Sequence, residues 1–173
     1  MTLGRLHGFR LIRSGFTLFE LVVFIILLLI LAGLFFERVL YYQEVIEDAS
    51  MRQTVSMINT GINLKLADCI AKGQYGEIPQ LGSRNPMDWL VAKPNNYFGE
   101  LFDPAPGDVP RGNWYYDLRD HNLVYLVDHA AHYQGSSRKW IRFRVDLNYN
   151  TDRRSGFISA RLVPASAYTW FAH

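Results

Sequence analysis

LVVFIILLLILAGLFF, the stretch from Leu21 to Phe36, carries no charge and no strongly polar side chain. As a helix rising ~1.5 Å per residue it covers about 24 Å, whereas a bilayer core is ~30 Å thick. Extending the helix back to Phe16 gives a length of about 31 Å, which is enough to span that core. We therefore predict a transmembrane segment over residues 16–36, with Glu20 inside the apolar zone or at its edge.

The charges around this segment predict its orientation. Three of the 18 basic residues, Arg5, Arg10 and Arg13, precede it and none of the 16 acidic ones does, which leaves 15 basic against 16 acidic residues. Positive residues stay in the cytoplasm. We expect a basic leader over residues 1–15, a cytoplasmic N-terminus, a single pass through a bacterial inner membrane and a periplasmic head. The nearly neutral remainder is not the charge balance of a nucleic-acid-binding domain.

Alternative interpretations of the apolar segment can be compared by the residues that each requires in the segment or next to it. A cleaved secretory signal should end in a small-x-small site, but Glu37-Arg38-Val39 follows here. A buried helix of a soluble protein is rarely this uniformly aliphatic. A plain signal anchor stays open. A carboxylate at Glu20 inside a bilayer costs about 2.5–3.5 kcal/mol on insertion scales, so it is either an interfacial side chain or a charge that requires a partner.

The residues around that glutamate are Gly15-Phe16-Thr17-Leu18-Phe19-Glu20-Leu21, between the basic leader and the apolar run. This pattern resembles the N-terminal signal of type IV pilins and type II secretion pseudopilins. The resemblance implies that a prepilin peptidase cuts after Gly15 and that the new N-terminus, Phe16, is N-methylated. It also implies that Glu20 pairs with the terminal amine of a neighbouring subunit during assembly.

The resemblance implies a structural role. The partners would be the prepilin peptidase, other pilin or pseudopilin subunits and inner-membrane lipid, with no cofactor, no small-molecule substrate and no catalysis. One departure is Glu37, which stands where many pilins have a helix-breaking proline. Without that proline the helix need not kink there.

Residues 37–72 continue in a helical pattern that changes from apolar to amphipathic. Apolar residues recur at steps of three or four, as on one face of a helix; they are Met51, Val55, Ile58, Ile62, Leu66 and Cys69. Cys69, the single cysteine, is interpreted as a small apolar residue of this stripe. Gly73 and Gly76 are expected to end the helix. Gly61 either allows close approach of a strand or is merely tolerated.

Residues 73–112 contain most of the prolines and are predicted to be a connecting region without a strand array. Asn85 and Pro86 predict the cap and first turn of a short helix that extends to about Ala92. The aromatic and apolar residues that follow are expected to pin the loop onto the head; they are Tyr97, Phe98, Leu101 and Phe102.

Residues 113–163 predict four strands, over residues 113–118, 123–127, 140–147 and 156–163. In the third, Ile141, Phe143, Val145 and Leu147 alternate with polar residues. Two hairpins give a four-stranded antiparallel sheet with one face covered by the long helix. The predicted fold class is therefore α+β and pilin-like. Residues 164–173 form an unassigned C-terminal tail.

No constellation for an enzyme is found, so no catalytic and no metal residue is predicted. His129-x-x-His132 provides too few ligands for a closed zinc site. Residues 146–152 resemble the start of a calcium loop but lack its glycine and its final glutamate, which favours a solvated turn over residues 148–155. Trp140, Arg142 and Arg144 project together from a basic hairpin and could contact DNA, although a solvated sheet face is favoured and DNA is an unlikely partner.

The sequence thus leaves three hypotheses. The first is a subunit of a type IV filament, as a type II secretion pseudopilin or a minor type IV pilin. The second is a pilin-like subunit that binds DNA through its basic C-terminal hairpin. The third is a plain single-pass, signal-anchored protein whose activity the sequence does not indicate.

Overall fold

The computed structural model describes residues 17–135, 139–149 and 158–171. The chain divides into two compact units between Val39 and Leu40. One helix, α1 (Leu18–Ala71), provides the described secondary structure of the first unit and the first element of the second. The second unit contains the sheet and is the head of the molecule.

From Leu21 to Phe36 the part of α1 in the first unit is apolar on all sides. By length and composition, α1 is the one helix among the described residues that could cross a membrane. A helix that is apolar all round belongs in a protein core or in a bilayer, because it leaves no polar face for water. The prediction of a long N-terminal helix is confirmed, since α1 extends from Leu18 to Ala71.

Within the residues that the structure describes, the head contains seven strands in two sheets. Five form the main sheet, in the order β1-β2-β3-β5-β6, and two short ones pair with each other, β4 with β7. The strands are β1 (Tyr97–Leu101), β2 (Trp114–Asp117), β3 (Asn122–Leu126), β4 (Tyr133–Gln134), β5 (Trp140–Tyr149), β6 (Ile158–Pro164) and β7 (Thr169–Trp170). The coarse α+β prediction is confirmed.

The prediction of a four-stranded antiparallel sheet is wrong, because the main sheet has five strands and is mixed. The additional strand, β1, runs parallel to β2, with Tyr97 opposite Trp114 and Leu101 opposite Asp117. It occupies residues that were expected to be loop. Its register is irregular between Tyr97 and Gly99, and Gly99 has a φ of 127°. This irregular, parallel pairing gives no alternating pattern in the sequence.

The amphipathic part of α1 packs on one face of the main sheet. The predicted stripe is confirmed, since its residues are buried except for the half-buried Val55, and Cys69 is fully buried among them. They meet the inward side chains of the sheet, which include Trp114, Tyr116, Leu123, Tyr125, Ile141, Phe143, Ala160 and Leu162. Asn59 adds a polar contact, because its Oδ1 accepts a hydrogen bond from the Leu162 N–H at 2.7 Å.

The end of α1 follows the predicted glycine signal at one of two positions. Gly73 has a φ of 68°, and its N–H donates to the Ile70 carbonyl while the Gln74 N–H donates to the Cys69 carbonyl. This is a Schellman motif, in which glycine adopts the left-handed conformation without steric cost. Gly76, by contrast, does not end the helix, because it lies within a 3₁₀ helix (Tyr75–Ser83).

The short helix after Asn85 is a 3₁₀ helix (Pro86–Trp89) and ends earlier than predicted. The cap prediction is confirmed, since Asn85 Oδ1 accepts a hydrogen bond from the Met87 N–H at 3.0 Å. This helix lies against Gly61, where a Cβ would lie 3.0 Å from the Trp89 carbonyl oxygen. Gly61 therefore allows close approach of a 3₁₀ helix and not of a strand.

Candidate functional site

The first candidate site is the exposed apolar surface at the start of α1. Its side chains are largely exposed in the isolated chain. The exposed fraction is, for example, 81% for Leu18, 49% for Leu21 and 65% for Phe36. Residues 18–36 cover about 28 Å as a helix. Soluble proteins rarely expose continuous apolar surfaces of this extent, so the surface requires lipid or another protein to cover it.

Thr17 and Glu20 lie at the N-terminal end of this surface. The Glu20 N–H donates a hydrogen bond to Thr17 Oγ1 at 3.2 Å, which caps the first turn of α1. Glu20 itself is exposed, and its carboxylate forms no ion pair or hydrogen bond within the described part of the chain. The other two residues predicted for processing and assembly, Gly15 and Phe16, lie outside the described residues.

The second candidate site is a pair of glutamates on α1 in the head, which was not predicted from the sequence. Glu44 is 2% exposed, although it carries a carboxylate. Its Oε1 accepts hydrogen bonds from the His132 N–H at 2.8 Å and from Trp170 Nε1 at 2.9 Å. Its Oε2 lies 2.7 Å from His132 Nδ1. One carboxylate thus fixes the loop at His132 and strand β7 to α1.

Glu47, one turn further along, binds the preceding part of the same loop. Its Oε1 accepts from the Tyr125 hydroxyl at 2.9 Å and the Asp128 N–H at 2.7 Å. Its Oε2 accepts from the His129 N–H at 2.7 Å and lies 3.0 Å from His129 Nδ1. Burial and this carboxylate raise the pKa of Tyr125, so the phenol stays protonated and donates.

This arrangement explains the two histidines that the sequence presented as candidate zinc ligands. Each imidazole faces its own glutamate through Nδ1, and the His132 ring stacks on Phe171 at 5.3 Å between centroids. Among the described residues no group of three or more metal-ligating side chains occurs. The sequence carried a signal for Glu44 alone, since extending the apolar stripe backwards in steps of three and four from Met51 reaches Asp48 and Glu44.

The residues considered for DNA contact lie on the face of the sheet opposite α1. Trp140 and Arg142 are half-buried and Arg144 is exposed. Arg142 Nη1 lies 3.1 Å from Asp120 Oδ2, and its guanidinium lies 5.1 Å from the centre of the Trp140 ring. The structure therefore brings the three together on one face, but Arg142 is already paired with a carboxylate. Of the residues considered for calcium, Asp146 and Asn148 lie on β5, and residues 150–152 lie outside the described residues.

No protein-family model, no characterised protein and no solved structure gives a match to this chain.

Proposed function

We propose that the chain is a structural subunit of a type IV-like filament, inserted in the bacterial inner membrane with its head in the periplasm. Prepilin peptidase removes residues 1–15, and the subunit then assembles through Phe16, Glu20 and the apolar surface of α1. It is a type II secretion pseudopilin or a minor type IV pilin in this proposal.

One observation carries the proposal most directly. A carboxylate without a partner among the described residues, Glu20, stands at the start of a continuous, exposed apolar helical surface. A charge in lipid is costly, and a positive partner removes much of that cost. The amine that cleavage creates at Phe16 of a neighbouring subunit is such a partner. Subunits at a wrong axial offset leave both charges unpaired, so Glu20 sets register as well as attraction.

The architecture of α1 also supports the proposal. The helix is apolar up to Phe36 and amphipathic from Met51 to Cys69, where it covers a sheet. A single-pass anchor needs no more than the apolar part. It does not need a capped first turn with Glu20 three residues after Thr17, and this motif is what distinguishes a filament subunit from a plain signal anchor.

The test is filament assembly in a host that provides prepilin peptidase and an assembly machinery. Glu20→Gln keeps the size of the side chain and removes its charge. We expect this variant to be inserted and processed like the wild type, while the amount in the sheared filament fraction falls at least about tenfold, as the loss of one buried charge pair predicts.

The matched control is Glu77→Gln, which makes the same substitution in the 3₁₀ helix Tyr75–Ser83 of the head. It should assemble like the wild type. Filament yield of Glu20→Gln equal to that of Glu77→Gln would contradict the role of the Glu20 charge.

A further inference from the structure

The head contains a pocket of about 400 Å³ on the side of the sheet opposite α1. Its walls come from outward residues of the sheet and from the loop that connects β1 to β2. The apolar lining residues are Pro104, Pro106, Val109, Tyr115, Leu126 and Trp140. A volume near the lower end of the usual range for ligand pockets, ~300–1,000 Å³, fits one compact small molecule.

Two cations, Arg111 and Lys139, also line this pocket. Neither forms an ion pair with a carboxylate in the part of the chain that the structure describes, whereas Arg52, Arg119 and Arg142 all do. Two cations without a carboxylate partner among the described residues can make charge-assisted hydrogen bonds to a negatively charged ligand.

Hydrogen bonds hold the segments that line the pocket. The Ala105 N–H donates to Asp108 Oδ2 at 2.8 Å and the Asp108 N–H donates to the Ala105 carbonyl, which closes a turn over residues 105–108. Lys139 has a φ of 57°, and its carbonyl accepts the Val127 N–H at 2.9 Å. Arg111 is followed by Gly112, whose N–H donates to the Leu126 carbonyl at 2.7 Å. Little ordering is left for binding to impose.

The aromatic residue Trp140 indicates the shape of the ligand, because the other aromatic residue of the lining, Tyr115, is only 2% exposed. Leu126 lies opposite Trp140 on the neighbouring strand. Arg142 packs on the Trp140 ring, which holds that ring in place. Aromatic side chains stack on flat rings of any base type.

We propose that this pocket binds a small anion made of an aromatic ring and a phosphate monoester, the ring against Trp140 and the phosphate between Arg111 and Lys139. A phosphate monoester carries about −1.5 to −2 charge at neutral pH, which matches two cations better than one carboxylate does. Burial raises the pKa of Tyr115 to about 12, so its phenol remains an uncharged hydroxyl beside the anion. The sequence predicted no small-molecule substrate, and this inference concerns binding alone. It is independent of filament assembly.

The test uses the full chain in detergent micelles and adenosine 5′-monophosphate as the probe. Calorimetry should give a Kd below about 1 mM, with adenosine and inorganic phosphate each at least about tenfold weaker. The indole N–H signal of Trp140 in a nuclear magnetic resonance spectrum should shift on titration, whereas that of Trp89, on the other side of the sheet, should not.

Substitutions of the lining residues test whether the probe binds in this pocket. The double variant Arg111→Gln, Lys139→Gln should weaken the probe at least about tenfold, because charge-assisted bonds to phosphate are the strong ones. Trp140→Leu should weaken it at least about fivefold through the lost stacking. The matched control is Arg84→Gln, Lys72→Gln, which removes two exposed cations elsewhere on the head and should leave the Kd unchanged.

Three results would overturn the proposal. They are absence of binding at about 10 mM probe, inorganic phosphate binding as tightly as the nucleotide, and an equal loss of affinity in the control double variant. Folding of each variant is checked by its tryptophan emission, and for Trp140→Leu the remaining three tryptophans report it.

Discussion

Glu44 shows how one residue ties distant parts of the head together. Its carboxylate is buried on α1 and receives hydrogen bonds from His132, in the loop before β4, and from Trp170 in β7. Burial raises the pKa of Glu44, but the hydrogen bonds from His132 and Trp170 outweigh this effect, and the pKa lies below its ordinary value of 4.5. The ionised form is therefore the one that the folded head stabilises.

The stability of the head should depend on this ionisation. A lowered pKa in the folded state contributes stability above pH 4.5, and that contribution is lost as the pH falls through the folded-state pKa. We expect Glu44→Gln to lower the free energy of unfolding by about 1–3 kcal/mol at pH 7, and the difference from wild type to shrink below pH 4.5.

Urea unfolding followed by tryptophan fluorescence measures this effect, because all four tryptophans lie in the head. Glu77→Gln is the matched control, since the Glu77 side chain forms no hydrogen bond among the described residues, and it should have little effect at either pH. A difference between Glu44→Gln and wild type that is the same at pH 7 and pH 3.5 would mean that the Glu44 charge does not stabilise the head.

Among elements, the contact between α1 and the 3₁₀ helix Pro86–Trp89 depends on Gly61. A Cβ at this position would lie 3.0 Å from the backbone oxygen of Trp89, which is closer than ordinary contacts. Alanine is favoured over glycine in a helix by about 1 kcal/mol, but overpacking against backbone costs ~1–3 kcal/mol. We expect Gly61→Ala to lower the free energy of unfolding by about 1 kcal/mol.

The same unfolding measurement checks this prediction. Thr60→Ala, at the adjacent exposed position, should not destabilise the head in the same way, since alanine is the better helix former there. If Gly61→Ala instead stabilised the head by about 1 kcal/mol, the 3₁₀ helix would be free to move away from α1, and the close contact would not matter for stability.

The elements that the sequence predicted are those with a local periodic signal. The stripe from Met51 to Cys69 and the alternation from Ile141 to Leu147 identify buried faces without knowledge of partners. Strand β1 escaped prediction because its hydrogen bonds come from a parallel neighbour across a long connection and its sequence, YFGEL, contains a glycine. Strands β4 and β7, two residues each, are too short to show any period.

The candidate sites also divide into those with a local signal in the sequence and those without one. Glu20 was proposed from the sequence because a carboxylate is conspicuous beside a long apolar run. The helical stripe extends to Glu44, but the partners of Glu44 and Glu47 depend on which loop the fold brings to them, and no local pattern identifies those partners. The pocket at Trp140 likewise combines residues from positions 104 to 140, and only the folded sheet places them together.

At the scale of the whole molecule, the central claim is that the chain is a filament subunit matured by cleavage after Gly15. The most direct test is the intact mass of the protein purified from membranes of one host strain with prepilin peptidase and one without it. We predict a mass that lacks residues 1–15 and carries one additional methyl group only when the peptidase is present. The full-length mass in both strains would contradict the claim and favour a plain signal-anchored protein.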